Sequence, residues 1–183
     1  FIGLINSASS NTVMSVDGPW GSGKTYFVKQ IEYMSLHGVE DFSNIDEAVI
    51  EEFQKNYAVV YYNAWENDQH TDPLQSLLAN LINDVWGWRE RTSDRVVQLS
   101  EGFVKSVAKV VTGGLYDSKE IEDADSIQKL VKSIHTVDER KEAIDDILDT
   151  YSESIGKKIL VIIDELDRCR PDFAVKLLET IKH

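Results

Sequence analysis

Apolar positions recur along this chain in two rhythms, and each predicts its own kind of element. Leu74, Leu77, Leu78, Leu81, Ile82, Val85 and Trp86 follow one another at helical spacing, so they predict an amphipathic helix with one buried face. Pro73 precedes them at a place where a first helical turn tolerates proline. By contrast, Ile159-Leu160-Val161-Ile162-Ile163 is an unbroken apolar run, the pattern of a strand covered on both faces. Tyr57-Ala58-Val59-Val60-Tyr61-Tyr62 is β-branched and aromatic and predicts a second buried strand. Thr12 to Asp17 reads as a third, short strand. A glycine-rich turn follows it, then a helix carrying Phe27, Ile31 and Met34.

The remaining patterns are helical. Phe1, Leu4 and Ile5 suggest a helix end, and Ile45 to Gln54 a short acidic helix. Val96 to Val111 repeats the helical spacing through Leu99, Phe103, Val104 and Val107, with Gly113-Gly114 as its stop. Further helices are expected around Ile127, Leu130, Val131 and Ile134, around Ile144, Ile147, Leu148 and Tyr151, and after Pro171 with Phe173, Leu177, Leu178 and Ile181. Ser9 to Asn11, His37 to Asn44, Asn63 to Asp68 and Asp117 to Asp125 read as loops or linkers. Strands separated by helices predict an α/β fold with a parallel sheet. The helical stretch is too long for one crossover. Residues 74–155 are therefore expected to be a helical insertion lobe, and 1–73 with 156–183 the core.

Composition narrows the function. The chain has 183 residues, 42% of them apolar and 28% charged, the profile of a folded globular domain. Its 19 basic and 32 acidic residues leave a formal charge of −13, and the densest basic stretch, Arg89 to Arg95, is broken by Glu90 and Asp94. That disfavours direct nucleic-acid binding, which needs a basic stripe to neutralise phosphates. Cys169 is the single cysteine, so no internal disulfide forms, in keeping with a reducing, cytoplasmic setting. No secretory signal is visible, and no transmembrane run of 18 apolar residues exists; Lys105 and Lys109 interrupt the nearest approach. His37, His70, His135 and His183 show no zinc-ligand spacing, and the acidic run from Glu139 to Asp149 reads as a solvated helix face. The chain starts at Phe1 without an initiator Met and stops inside an expected helix, so a longer polypeptide is expected.

Candidate chemistry begins at Gly18-Pro19-Trp20-Gly21-Ser22-Gly23-Lys24-Thr25, which matches the phosphate-loop pattern G-x-x-x-x-G-K-[ST], or Walker A. Gly18 and Gly23 let the backbone turn where a Cβ would interfere, and Gly21 permits close approach to an anion. Successive N–H groups then converge at a helix N-terminus whose partial positive charge adds to the attraction. Lys24 is placed to reach the β and γ phosphates, and the Thr25 hydroxyl to ligate Mg²⁺. The expected nucleotide-binding residues are Gly18, Trp20, Gly21, Ser22, Gly23, Lys24, Thr25 and Tyr26. No guanine-reading Asn/Thr-Lys-x-Asp sequence is present, which favours ATP.

The apolar run 159–163 ends in Asp164-Glu165, the Walker B pattern. A buried strand ending in a carboxylate delivers it to the sheet edge where ligands bind. Asp164 is expected to hold Mg²⁺ through a water. Glu165, one residue further, is the expected general base toward the attacking water. Lys24 and Glu165 are thus the catalytic candidates, and Thr25 and Asp164 the metal ligands.

These residues resemble a known family. Asp164-Glu165-Leu166-Asp167-Arg168-Cys169 with Pro171, followed by Leu177-Leu178-Glu179-Thr180-Ile181-Lys182, is similar to the second motif of the KAP family of P-loop NTPases. Asp17 to Thr25 and Tyr61-Tyr62-Asn63-Ala64-Trp65-Glu66 resemble that family too, in the right order, over 12–35, 57–82 and 158–183; 96–150 carries no resemblance. The resemblance implies a P-loop fold with one further strand between the phosphate-loop strand and the Asp164 strand, expected beyond His183 together with a polar sensor and any arginine finger. The sheet is therefore expected to be incomplete in this chain. It also implies tolerance of large insertions, paired membrane helices in some members, a bacterial setting and a link to phage exclusion or defence.

Several residues carry two readings. Trp20 shields phosphates or packs under a strand. Asn63 and Trp65 contact nucleotide or the metal's waters, or Trp65 packs structurally. Glu66 is an added site acid or a surface group. Arg168 pairs with an acid of its own turn or acts across an oligomer interface, and Cys169 is a small structural residue. The expected function is Mg²⁺-dependent ATP hydrolysis that drives conformational change in an attached domain, a homo-oligomer or a partner protein. The alternatives are a nucleotide-dependent switch or assembly module with little turnover and, more remotely, a small-molecule or nucleotide kinase, against which stands the lack of an arginine-rich lid.

Overall fold

The computed structural model describes residues 1–8, 12–37, 45–70, 72–91 and 136–181. The elements in order are α1 (Ile2–Ser7), α2 (Lys24–Leu36), α3 (Glu47–Asn56), β1 (Tyr57–Asn63), α4 (Pro73–Arg91), α5 (Val137–Ile155), β2 (Lys158–Asp164), a single 3₁₀ turn (Leu166–Arg168) and α6 (Pro171–Ile181). The loops and helices expected between 92 and 135, the Ser9–Asn11 loop and the 38–44 part of the linker lie outside the described residues. None of the described helices is long and apolar enough to cross a membrane.

β1 and β2 pair in parallel, in a register that sets Tyr57 beside Lys158 and Asn63 beside Asp164. Side chains alternate across a strand, and here the alternation sorts the core into two layers. Val60 and Tyr62 of β1 face a cluster built from Leu74, Leu77, Leu78 and Leu81 of α4, Ala143, Ile144, Ile147 and Tyr151 of α5, and Phe173 and Leu177 of α6. Tyr57 and Ile162 face the opposite cluster, with Ile2 and Ile5 of α1, Ile31 and Met34 of α2, and Ile50 and Phe53 of α3. Helices thus cover both faces of a parallel pair, as the unbroken apolar run of β2 requires. The described ends of the 74–155 stretch pack directly on this sheet.

Local signals set the helix limits. Asp46 caps α3 by accepting the Ala48 N–H at 3.0 Å. Thr136 and Glu139 form a reciprocal capping box at the start of α5, and Gly156 ends that helix in the left-handed region at φ 66°. Asp72 accepts the Leu74 N–H at 2.9 Å and pairs with Arg140, so one carboxylate both caps α4 and ties it to α5. Asp145, Asp146 and Asp149 lie exposed on α5, in line with a solvated acidic face.

Two features depart from the sequence reading. Thr12–Asp17 forms no ladder with either strand, and Val13, Met14 and Val16 are exposed. A strand persists through ladder pairing of its N–H and C=O groups, and the described ladder joins only β1 and β2. Most of β2 is only half-buried, since among the described residues β1 is its single strand partner. Leu178, expected on the buried face of α6, is exposed, whereas Phe173 and Leu177 are buried.

Candidate functional site

The C-terminal ends of β1 and β2, the loop before α2 and the turn after β2 meet at one edge of the sheet. The loop's shape follows from its glycines. Gly21 at φ 78° and Gly23 at φ 88° occupy the left-handed region, where a side chain would add strain. At Gly18 the constraint is space, since a Cβ there would lie 2.9 Å from the Ser22 hydroxyl. Asp17 accepts the Gly18 N–H at 2.8 Å, and the Ser22 N–H donates to the Pro19 carbonyl at 3.2 Å. Lys24 arches back so that Nζ donates to the Gly18 carbonyl at 2.8 Å. Gly23 provides no side-chain cap for α2, so the first-turn N–H groups stay available at the positive end of the helix. Trp20 and Tyr26 project outward, Trp20 at 77% exposure.

The acidic turn is arranged by contacts from distant parts of the chain. Tyr61 donates its hydroxyl to Asp164 Oδ2 at 3.0 Å, and the Glu165 N–H donates to Asp164 Oδ1 at 2.9 Å. Burial, followed by the hydrogen bond to Asp164 and the charge of that carboxylate, pushes the Tyr61 phenol well above its ordinary range. It therefore remains a donor at any physiological pH. Lys29 Nζ lies 3.2 Å from the centre of the Tyr61 ring. Glu165 has φ 59°, the one positive value outside glycine among the described residues; this conformation costs an L-residue about 1–2 kcal/mol. Its carboxylate is held at both oxygens. Thr25 Oγ1 donates to Oε1 at 3.3 Å, and Arg168 Nη1 donates to Oε2 at 3.0 Å.

The first of these bonds brings Thr25 and the expected base together across 140 residues of sequence. Lys24, Thr25, Asp164 and Glu165 all lie at this edge. The Tyr26 ring is exposed. Asn63 shapes its own turn: its side chain donates to Glu66 Oε1 at 2.8 Å and accepts the Trp65 N–H at 3.1 Å. Glu66 is thereby engaged locally. Arg168 pairs with an acid of its own turn, and its guanidinium stacks on the half-exposed Trp65 ring, 3.9 Å from the ring centre. Cys169 Sγ donates to the Glu165 carbonyl at 3.5 Å, and burial, then the charges of Asp68, Asp167 and Glu165, raise its thiol pKa.

Sequence reasoning missed Tyr61 as the partner of Asp164. Strand parity could have found it. Leu160 and Ile162 face the α2 side of the sheet with Val59 and Tyr61, so Asp164, two residues on, follows onto that face.

The donors fit Mg²⁺. They are hard oxygens, the Thr25 hydroxyl and the Asp164 carboxylate. Mg²⁺ typically takes one or two protein oxygens and completes its shell with water and substrate phosphates.

No curated protein and no solved structure matches this chain. The model of the KAP family P-loop domain matches it over residues 1–183. With that match over its whole length, and with the phosphate loop set against the acidic strand end, the chain belongs to the KAP family of P-loop NTPase domains.

Proposed function

We propose that this domain binds ATP with Mg²⁺ in the loop from Gly18 to Thr25, with Trp20 and Tyr26 at its rim, and hydrolyses it. The observation that carries the reading is the Thr25–Glu165 hydrogen bond at 3.3 Å, which sets the loop beside the acidic turn. Backbone N–H groups of the loop and the uncapped start of α2 receive the phosphates. Lys24 exchanges its bond to Gly18 for phosphate oxygens and offsets charge that develops in transfer. Thr25 and Asp164 hold Mg²⁺, which supplies charge neutralisation of the phosphates. Tyr61 fixes the rotamer of Asp164 by donating to one oxygen. Glu165 orients a water and takes its proton; an ionised carboxylate offers about four lone-pair sites, so capacity remains beside its two present bonds.

Turnover would drive conformational change in an attached domain or a partner. A nucleotide-dependent switch with little turnover is the second reading, and the engagement of both Glu165 oxygens favours it. Calorimetric titration with ATP and Mg²⁺ tests the shared premise. Saturable binding is expected in the full chain and none in Lys24→Ala; equal binding in both would refute the loop as the site. Steady-state phosphate release by the unaltered chain supports hydrolysis, and binding without release leaves the switch.

A further inference from the structure

We infer that Arg168 is a positioning residue that couples the phosphate loop to Glu165 through two indole rings. The inference rests on the reading of Glu165 as the base. Four contacts converge on this one residue, three of them on its side chain. Its Nη1 donates to Glu165 Oε2 at 3.0 Å. Its guanidinium carbon lies 3.9 Å from the centre of the Trp65 ring and 5.6 Å from that of Trp20. Its backbone N–H donates to the Glu165 carbonyl at 3.2 Å, closing the 3₁₀ turn.

The three side-chain contacts join three different segments. Trp20 belongs to the phosphate loop, Trp65 to the turn that Asn63 builds after β1, and Glu165 to the end of β2. Arg168 is the group they share. A planar guanidinium can stack on a ring and bond a carboxylate in its plane at the same time, which an ammonium cannot. Glu165 sits in a conformation that a non-glycine residue rarely adopts, so its carboxylate position depends on what holds it. Trp20 is 77% exposed at the loop rim. A nucleotide filling the loop meets that ring first. Displacement of Trp20 alters the stack on Arg168, and through it the hold on Glu165 and the environment of Trp65.

Trp65 fluorescence gives the direct test. In the full chain, Trp20, Trp86 and Trp88 are replaced by Phe, which keeps a ring at position 20 and leaves Trp65 as the sole indole. ATP with Mg²⁺ is expected to shift Trp65 emission. Adding Arg168→Ala should abolish the shift while the calorimetric Kd stays within about threefold; Arg168→Lys, which keeps charge without the planar fork, should leave a reduced shift. In the chain with all its tryptophans, Arg168→Ala should lower kcat by about 100-fold, the scale of a displaced catalytic group, with KM nearly unchanged. A shift that survives Arg168→Ala, or binding with no shift in the parent, overturns the coupling alone. Absence of calorimetric binding in the chain with all its tryptophans overturns the nucleotide reading and the coupling with it. Phosphate release absent from the unaltered chain removes the hydrolysis reading, and the Trp65 response then decides the coupling.

Discussion

The two halves of the candidate site are built by different means. The phosphate loop is shaped locally: glycines at 21 and 23 allow the turn, and Lys24 closes it over Gly18 at 2.8 Å. The acidic turn is shaped at long range. Asp164 is aimed by Tyr61 from the neighbouring strand at 3.0 Å, and Glu165 is held by Thr25 from the far side of the site at 3.3 Å. A half set by its own backbone survives the loss of distant partners, whereas a half set by side chains from elsewhere does not. The same division decides how the site fails.

The largest expected effect on nucleotide affinity comes from the local half. Gly23→Val puts a β-branched side chain at φ 88°; the left-handed penalty of roughly 1–2 kcal/mol predicts ATP binding weaker by about 5- to 30-fold, with circular dichroism of the fold unchanged. Calorimetry checks it, and unaltered affinity would mean the loop tolerates another path. Tyr61→Phe comes next, because it removes the donor to Asp164 and leaves the ring. It should raise the Mg²⁺ concentration for half-maximal turnover by roughly tenfold, as losses of second-layer metal partners do, with ATP affinity without metal unaffected. The smallest effect is expected at Cys169→Ser. The thiol is half-buried with its pKa raised, so it should react with iodoacetamide more slowly than free cysteine near pH 8. Its replacement should change stability by only about 0.5 kcal/mol; a large loss of turnover would place chemistry in the turn that the other contacts do not explain.

That contrast also explains how much could be read from sequence. The shape of the loop was legible because its requirements are local and chemically narrow, glycine for the positive φ at 21 and 23. The strands 57–62 and 159–163 were legible from apolar runs, and both now lie within β1 and β2. Thr12–Asp17 was read from the same kind of signal, yet it makes no ladder, because pairing depends on a neighbour and not on the segment's own residues. Tyr61 and Trp65 were partly hidden for the same reason. Their roles emerge only when the register sets Asn63 beside Asp164 and Arg168 comes to rest on an indole. Leu178 shows the limit of periodicity, since helical spacing places it near Leu177 but not against the core.

The central claim is that the two halves act as one site, with the base supplied by the long-range half. Steady-state phosphate release from ATP and Mg²⁺ by the full chain carrying Glu165→Gln tests it most directly. The side chain keeps its size and can still bond Thr25, but it can no longer accept a proton. Release is expected to fall by roughly 100-fold or more, the usual worth of a general base, while ATP still binds. Unchanged release in Glu165→Gln would contradict the account.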